Sequence, residues 1–529
     1  MSARRIAVAL AALAALLPGT PAAAQQPVES AAPNLREQAA GAENAGRFDE
    51  AADHWLALVA QEPRRAEWVL AAARCLGRSG RFNDAIDLLA QKRAAFPDLL
   101  DLPTLLARTH LLRVERDPGA LNPELDYHDA IDLCAEILQR DANHEEARLI
   151  QAQAYYALGD AEAALEAAEA AVTRHPDRAG AHILVARIAF DRFRMLKARF
   201  DLEQPDEPQR GELVDAIDRE RRRAIARFTQ AAELDPERTH ARVMLGDIAA
   251  RDRDADAAVG HWRQALAIDP GARVDHAWIT AQLEPSARRE FYRQARLAYE
   301  QRPQASAAQA ALLRFYEALA LYAAQQWQPA QDLFATALRD NPEYRNAAYY
   351  GALCAWRLGD EDAAEELAAR FAAASAPGFA DVLRALGPAE RSEVAGIVRY
   401  LGDRAYQNGR GDHSRDLNHV IACLLDSADA WNNYAFLCRE TGRHEAAFAG
   451  YQHAIEREPE SPQLWNDAAV VLQHHLPTPE NLQRARQMYE HALELAQRVL
   501  DGDAATAIER KRAEKAAADV KANLAELPK

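Results

Sequence analysis

The chain has 529 residues, with 63 Lys or Arg against 80 Asp or Glu, a formal net charge of -17. A field of that sign repels nucleic acid and anionic lipid and argues against both as partners. Hydrophobic residues make up 49% but aromatics only 7%, and an alanine-rich chain with few β-branched runs reads as all-α.

Taken in chain order, Arg4 and Arg5 precede an apolar run from Ile6 to Leu17, then Pro18 and a small-residue stretch ending Ala22-Ala23-Ala24. This predicts a signal peptide over residues 1–24, too short and wrongly flanked to span a bilayer. The expected location is therefore periplasmic or secreted. Ile6-Ala7-Val8 lacks the Phe-Leu continuation of a twin-arginine signal, and no cysteine follows the cleavage site to carry a lipid. No later stretch is apolar enough to span a membrane.

Beyond the leader, pairs of alanines recur 34 residues apart: Ala51 and Ala85, Ala130 and Ala164, Ala224 and Ala258, Ala330 and Ala364. A bulky residue often follows four places on (Trp55, Leu89, Phe228, Trp262, Phe334) and a small one seven places on (Ala171, Ala231, Ala265, Ala337). Proline falls twelve places on at Pro63, Pro97, Pro176, Pro236, Pro270 and Pro342. A fixed period of this length marks stacked supersecondary units. Small residues let two helices approach, the bulky one fills the gap beside them, and proline ends the second helix.

The spacing predicts a first repeat over 32–63 and a second over 65–97. Loops are expected inside the third, at 115–123, and inside the fifth, at 201–211. Arg219, Arg221, Arg222 and Arg223 follow, a basic cluster able to solvate an outer helix face or to grip an acidic partner. The seventh repeat, ending at Pro303, is degenerate. Between Pro377 and Asp416 the spacing breaks, and Gly378, Gly387, Pro388, Gly409 and Gly411 gather there. The expected organisation is an N-terminal array over 25–376, an irregular joint over 377–416, C-terminal repeats over 417–503 and a capping helix over 504–529.

The pattern resembles the tetratricopeptide repeat, most clearly at Trp431, Tyr434, Ala435, Gly442, Ala447, Tyr451, Ala454 and Pro459, and again at Ala152, Tyr155, Gly159, Ala164, Ala168, Ala171 and Pro176. The resemblance implies a right-handed superhelical solenoid of about 11–12 helix–turn–helix repeats. It implies an interaction scaffold or adaptor, expected in the bacterial cell envelope, that binds peptide or helix segments of other proteins in a concave groove; no enzymatic activity is expected. In that family the first helix of each repeat lines the groove through positions 2, 5, 6, 9, 12 and 13. By register those slots hold Phe315, Tyr316 and Tyr322, then Tyr349, Tyr350 and Trp356, with Arg357 adjacent. Aromatics beside an arginine have the composition of a binding hot spot, or of inter-repeat core. The helices beginning at Trp431 and Trp465 place Asn432, Asn433, Asn466 and Asp467 at the same slots. Stacked asparagines hold an extended peptide in the similar array of O-linked N-acetylglucosamine transferase, because an amide both donates to and accepts from a peptide group. The alternative function is a small-ligand or glycan receptor built on the aromatics near Trp356.

Catalytic and metal signatures are incomplete. Phe448 stands where a zinc-protease string beginning His444-Glu445 needs its second histidine, and Ala257 replaces the glycine that a calcium loop over Asp252, Asp254 and Asp256 requires. His474-His475 and His413 with His419 lack completing ligands. No cofactor is expected. Cys75, Cys134, Cys354, Cys423 and Cys438 fall on helices without C-x-x-C spacing and read as free thiols.

Overall fold

The computed structural model describes residues 31–117, 122–203, 207–502 and 506–528. The leader over 1–24 lies outside them. Among the described residues there are α-helices and one short 3-10 turn, with no strand, and no helix is long and apolar enough to cross a membrane.

The chain divides into two compact bodies, 1–236 and 237–529. Among the described residues the first comprises five helix pairs: α1 (Ala31–Asn44) with α2 (Phe48–Gln61), α3 (Ala66–Arg78) with α4 (Phe82–Lys92), α5 (Asp101–Arg116) with α6 (Pro123–Arg140), α7 (Glu145–Ala157) with α8 (Ala161–Arg174), and α9 (Ala179–Glu203) with α10 (Glu207–Leu234). The second opens with α11 (Thr239–Arg251) and α12 (Ala255–Ile268), then α13 (His276–Gln282) and α14 (Pro285–Glu300), α15 (Ala307–Ala323) and α16 (Trp327–Asp340), α17 (Arg345–Leu358) and α18 (Glu361–Ala374). A single helix, α19 (Ala376–Ala385), precedes α20 (Pro388–Gln407) and α21 (Gly411–Leu425), α22 (Ala428–Glu440) and α23 (His444–Arg457), α24 (Pro462–His474) and α25 (Pro479–Asp501), and finally α26 (Ala507–Glu526).

One backbone device sets most of these pairs. A residue of positive φ ends the first helix five places before the buried small residue of the second: Gly46 before Ala51, Gly80 before Ala85, Gly159 before Ala164, Arg253 before Ala258, Gln325 before Ala330, Gly359 before Ala364, Gly409 before Ser414 and Gly442 before Ala447. At Gly80 (φ 83°) the next amide, Arg81 N–H, returns to the carbonyl of Leu76 at 2.8 Å and so satisfies the end of α3. The second helix then starts under a carboxylate cap in several repeats. Asp160, Asp254 and Asp360 accept from the amides of Ala163, Ala257 and Ala363 at 3.0, 3.1 and 3.1 Å. Asp254 is thus a helix cap in a polar turn.

Behind the turn, the bulky residue four places past the small one fills the core. Phe228, Trp262, Phe334 and Tyr451 are all buried to 1% exposure or less, each contributing roughly 2–3 kcal/mol of apolar burial.

Two segments depart from the sequence expectations. The irregular joint expected over 377–416 is helical, and α20 with α21 is a full repeat. Its small slots hold Gly402 and Ser414, not alanine, and its last turn closes on Asp426 (φ 49°) instead of proline, so the alanine–proline spacing passes over it. The loop expected over 201–211 is largely helix as well, since α9 runs to Glu203 and α10 begins at Glu207. Lys197 pairs with Asp201 one turn on (2.6 Å), which supports the end of α9.

The seventh repeat is degenerate for a visible reason. Arg288, buried at 8% exposure, stands four places before Tyr292, where other repeats carry alanine. Its guanidinium reaches back to the Thr280 carbonyl at 3.4 Å. The first helix, α13, has only seven residues, and α14 packs directly on α12.

Candidate functional site

The tyrosines expected to line a groove form a closed aromatic layer. Tyr316 on α15 stacks on His276 (centroids 3.9 Å, planes 9° apart) and on Tyr292 (5.0 Å). Tyr350 on α17 contacts Tyr349 (4.9 Å), Tyr322 (5.4 Å) and Phe334 (5.9 Å). Phe315 and Tyr349 are each 5% exposed, so these two are core and not groove residues. The cause is tertiary: α19 brings Phe379 to 5.6 Å from Tyr349, and the short α13 lays His276 over Tyr316. Tyr316, Tyr322 and Tyr350 are half-buried, and burial pushes the Tyr322 hydroxyl up to about 12.

Trp356 and Arg357 engage α20 instead of this layer. The indole meets Tyr400 edge to face at 5.4 Å, and the guanidinium pairs with Glu393 at 2.6 Å.

The asparagine positions also divide. Asn433 is exposed, whereas Asn466 is buried, donates to Asp467 at 3.2 Å and accepts from Asn523 on α26 at 3.0 Å. Asn466 is therefore a tie between α24 and α26, because the capping helix covers the face that would otherwise open. Asp467 also accepts from Gln463 (2.8 Å), and burial holds its carboxyl above the usual carboxylate range. Asn432 is half-buried, with an Oδ1 that has no hydrogen-bond partner among the described residues.

An open cleft appears elsewhere, between the first helices of the second and third repeats. α3 presents Leu70, Ala73, Arg74, Gly77 and Arg78, and α5 presents Asp101, Thr104, Leu105, Arg108, Thr109, Leu112 and Arg116, around a cleft of about 460 Å3. Both sets recur at i, i+3, i+4, i+7 and i+8, one face of a helix each. Leu70, Leu105 and Leu112 are half-buried and floor the cleft, while all four arginines are exposed. A Cβ on Gly77 would meet nothing within 4 Å, so the wall there is open. Glu146 holds Arg108 at 2.8 Å and Glu43 lies 3.8 Å from Arg78. The register rule reaches this face: Leu70, Arg74, Gly77 and Arg78 occupy slots 5, 9, 12 and 13 counted from Ala66.

In two other charged clusters, neighbouring carboxylates take up basic side chains. Of the basic run on α10, Arg222 pairs with Asp218 (3.2 Å) and Arg223 with Glu220 (3.2 Å) and Glu169 (3.8 Å). His110, Asp126 and Asp129 come within metal-ligand reach of one another. However, Arg113 donates to both oxygens of buried Asp126, and the His110 imidazole takes the same carboxylate at 2.5 Å. An arginine in that seat repels a cation, and the cluster serves to join α5 to α6.

Stacked helix pairs with an open first-helix face define the class: an α-helical repeat protein. Tetratricopeptide-repeat family profiles match residues 36–98, 218–273 and 315–378, residues 124–188, and residues 428–461. The chain is a tetratricopeptide-repeat protein, one of a family of protein-interaction scaffolds. No curated protein matches it. Among solved structures it is similar to MamA (16% identity over 39% of this chain and 92% of that one, TM-score 0.28) and to an IFIT1 monomeric mutant with Gppp-AAAA (16%, 62% and 67%, TM-score 0.35). MamA from Desulfovibrio magneticus RS-1 is also similar (17%, 39% and 97%, TM-score 0.28).

Proposed function

We propose that this protein is a non-catalytic scaffold of the bacterial cell envelope that takes an extended peptide segment of a partner along the first-helix face of its repeats. The observation that carries the reading is the α3–α5 cleft, where two consecutive first helices present apolar and charged side chains around open space. Preformed helices lose little entropy on binding, and a segment laid across two repeats meets both faces at once. The envelope setting rests on the leader pattern at 1–24. The glycan-receptor alternative needs an open aromatic platform at Trp356; that ring meets Tyr400, which favours the scaffold reading.

The test is in-cell crosslinking with a photoreactive residue at Leu70, another at Leu105, and a third at exposed Asp87 on α4 as control. Adducts from Leu70 and Leu105 alone are the expected result. Adducts from none of the three, or equally from all, overturn groove binding.

A further inference from the structure

We propose that the α3–α5 cleft takes an acidic segment of a partner protein, whose carboxylates meet Arg74 and Arg116 and whose apolar side chains rest on Leu70, Leu105 and Leu112. This inference rests on the groove reading above and names the chemistry of the occupant.

The chain carries 80 acidic residues against 63 basic ones, and many of its arginines are consumed by neighbouring carboxylates. Arg404 alone takes Glu361, Asp362 and Glu365 at 3.0, 3.1 and 2.9 Å. Against that background the cleft gathers four arginines and two acids, Asp101 and Glu146. Arg108 and Arg78 are occupied by Glu146 and Glu43. Arg74 and Arg116 have no ion-pair or hydrogen-bond partner among the described residues. They face one space from two different helices. A guanidinium presents a planar fork that fits a carboxylate through two parallel bonds, stronger and more directional than an ammonium contact.

The floor decides the kind of anion. Three half-buried leucines between the arginines favour a segment that alternates acidic and apolar side chains, since each buried methylene adds to the charged contacts. A nucleic-acid strand fits less well. Its unbroken row of phosphates would run past Asp101, Glu146 and Glu43 as well as the arginines, within a molecule of net charge -17. A peptide can place neutral residues opposite those acids.

The experiment uses the full chain and a fluorescent probe peptide of alternating Glu and Leu, with its Gln-for-Glu counterpart. The Glu probe is expected to bind about tenfold or more tighter than the Gln probe, as charge-assisted bonds require, and to weaken as salt rises. Arg74→Gln with Arg116→Gln should lose that preference, whereas Arg399→Gln on α20 should behave as the parent. Neither cleft arginine has a partner to strand, so the melting temperature should not move. The comparison of the two probes on the parent needs no variant to fold. Equal binding of both probes overturns the proposal, as does a double variant that binds like the parent. A single-stranded oligonucleotide that displaces the Glu probe at equal concentration overturns it in favour of nucleic acid. Crosslinking from Leu70 that survives Arg74→Gln/Arg116→Gln unchanged removes the acidic segment and leaves groove binding standing. Absence of crosslinking in the parent removes both.

Discussion

The Cβ that Gly246 lacks would stand 2.4 Å from the Nε1 and Cδ1 atoms of Trp262. The indole is 1% exposed and donates to the Val243 carbonyl at 3.2 Å and to Asp247 Oδ1 at 3.1 Å, so it cannot retreat without breaking both bonds. Gly246→Ala should therefore cost about 2 kcal/mol by overpacking. Urea unfolding measures it, and in a Trp262→Phe background the penalty should shrink because the smaller ring leaves room. A full-sized penalty in that background would place its origin outside this contact.

The carboxylate of Glu365 is fully buried, and it accepts from Arg404, Arg410 and His413 at 2.9, 2.9 and 3.0 Å. It ties α18 to α20 and α21. Removing its donors strands a charge in the interior, whereas removing the carboxylate frees arginines that reach solvent and still meet Asp362 at 3.1 and 3.0 Å. Arg404→Ala/Arg410→Ala should lower the melting temperature by several degrees, and by more than Glu365→Leu. The reverse order would contradict the assignment of Glu365 as the anchored charge.

All five cysteines are free, and four of them are buried. Burial pushes the Cys75 thiol up to about 11 and those of Cys134 and Cys354 up to about 12, so the reactive thiolate is scarce at neutral pH. Cys423, half-buried, should react first with a thiol reagent, and the remaining four should appear only on denaturation. Cys423→Ser should abolish the fast phase. Rapid reaction of several thiols in the native state would mean that the helix pairs open.

His276 is stacked on Tyr316 and bonded to the Tyr292 hydroxyl at 2.8 Å, and burial depresses its pKa to about 4. The unfolded chain protonates this histidine near its ordinary value while the native state does not. Its contribution to stability is thus complete above about pH 6.5 and is lost as pH falls towards 4. His276→Phe, which keeps the stack, should flatten the stability curve between pH 6.5 and 4. An unchanged acid limb would show that other groups carry it.

Most of the repeat organisation was legible because it is written locally. The small residue, the bulky one four places on and the closing proline each act within one helix pair, and their 34-residue spacing survives in the chain whatever surrounds it. Where a pair met the same need with other residues, the pattern went unseen: Gly402, Ser414 and Asp426 build the repeat read as an irregular joint. The candidate site was less legible. Leu70, Arg74 and Arg78 were on the same register as Tyr349 and Tyr350, yet only stacking tells a groove slot from a core slot. Tyr349 is covered by Phe379 of α19, and Asn466 by Asn523 of α26, contacts made 30 and 57 residues away along the chain. By itself the sequence determined the class of fold, the helix pairs and the turns, which depend on side-chain size and backbone preference over a few residues. Which first-helix faces stay open was decided by tertiary structure, because burial is a property of the neighbour that arrives and not of the residue that waits for it.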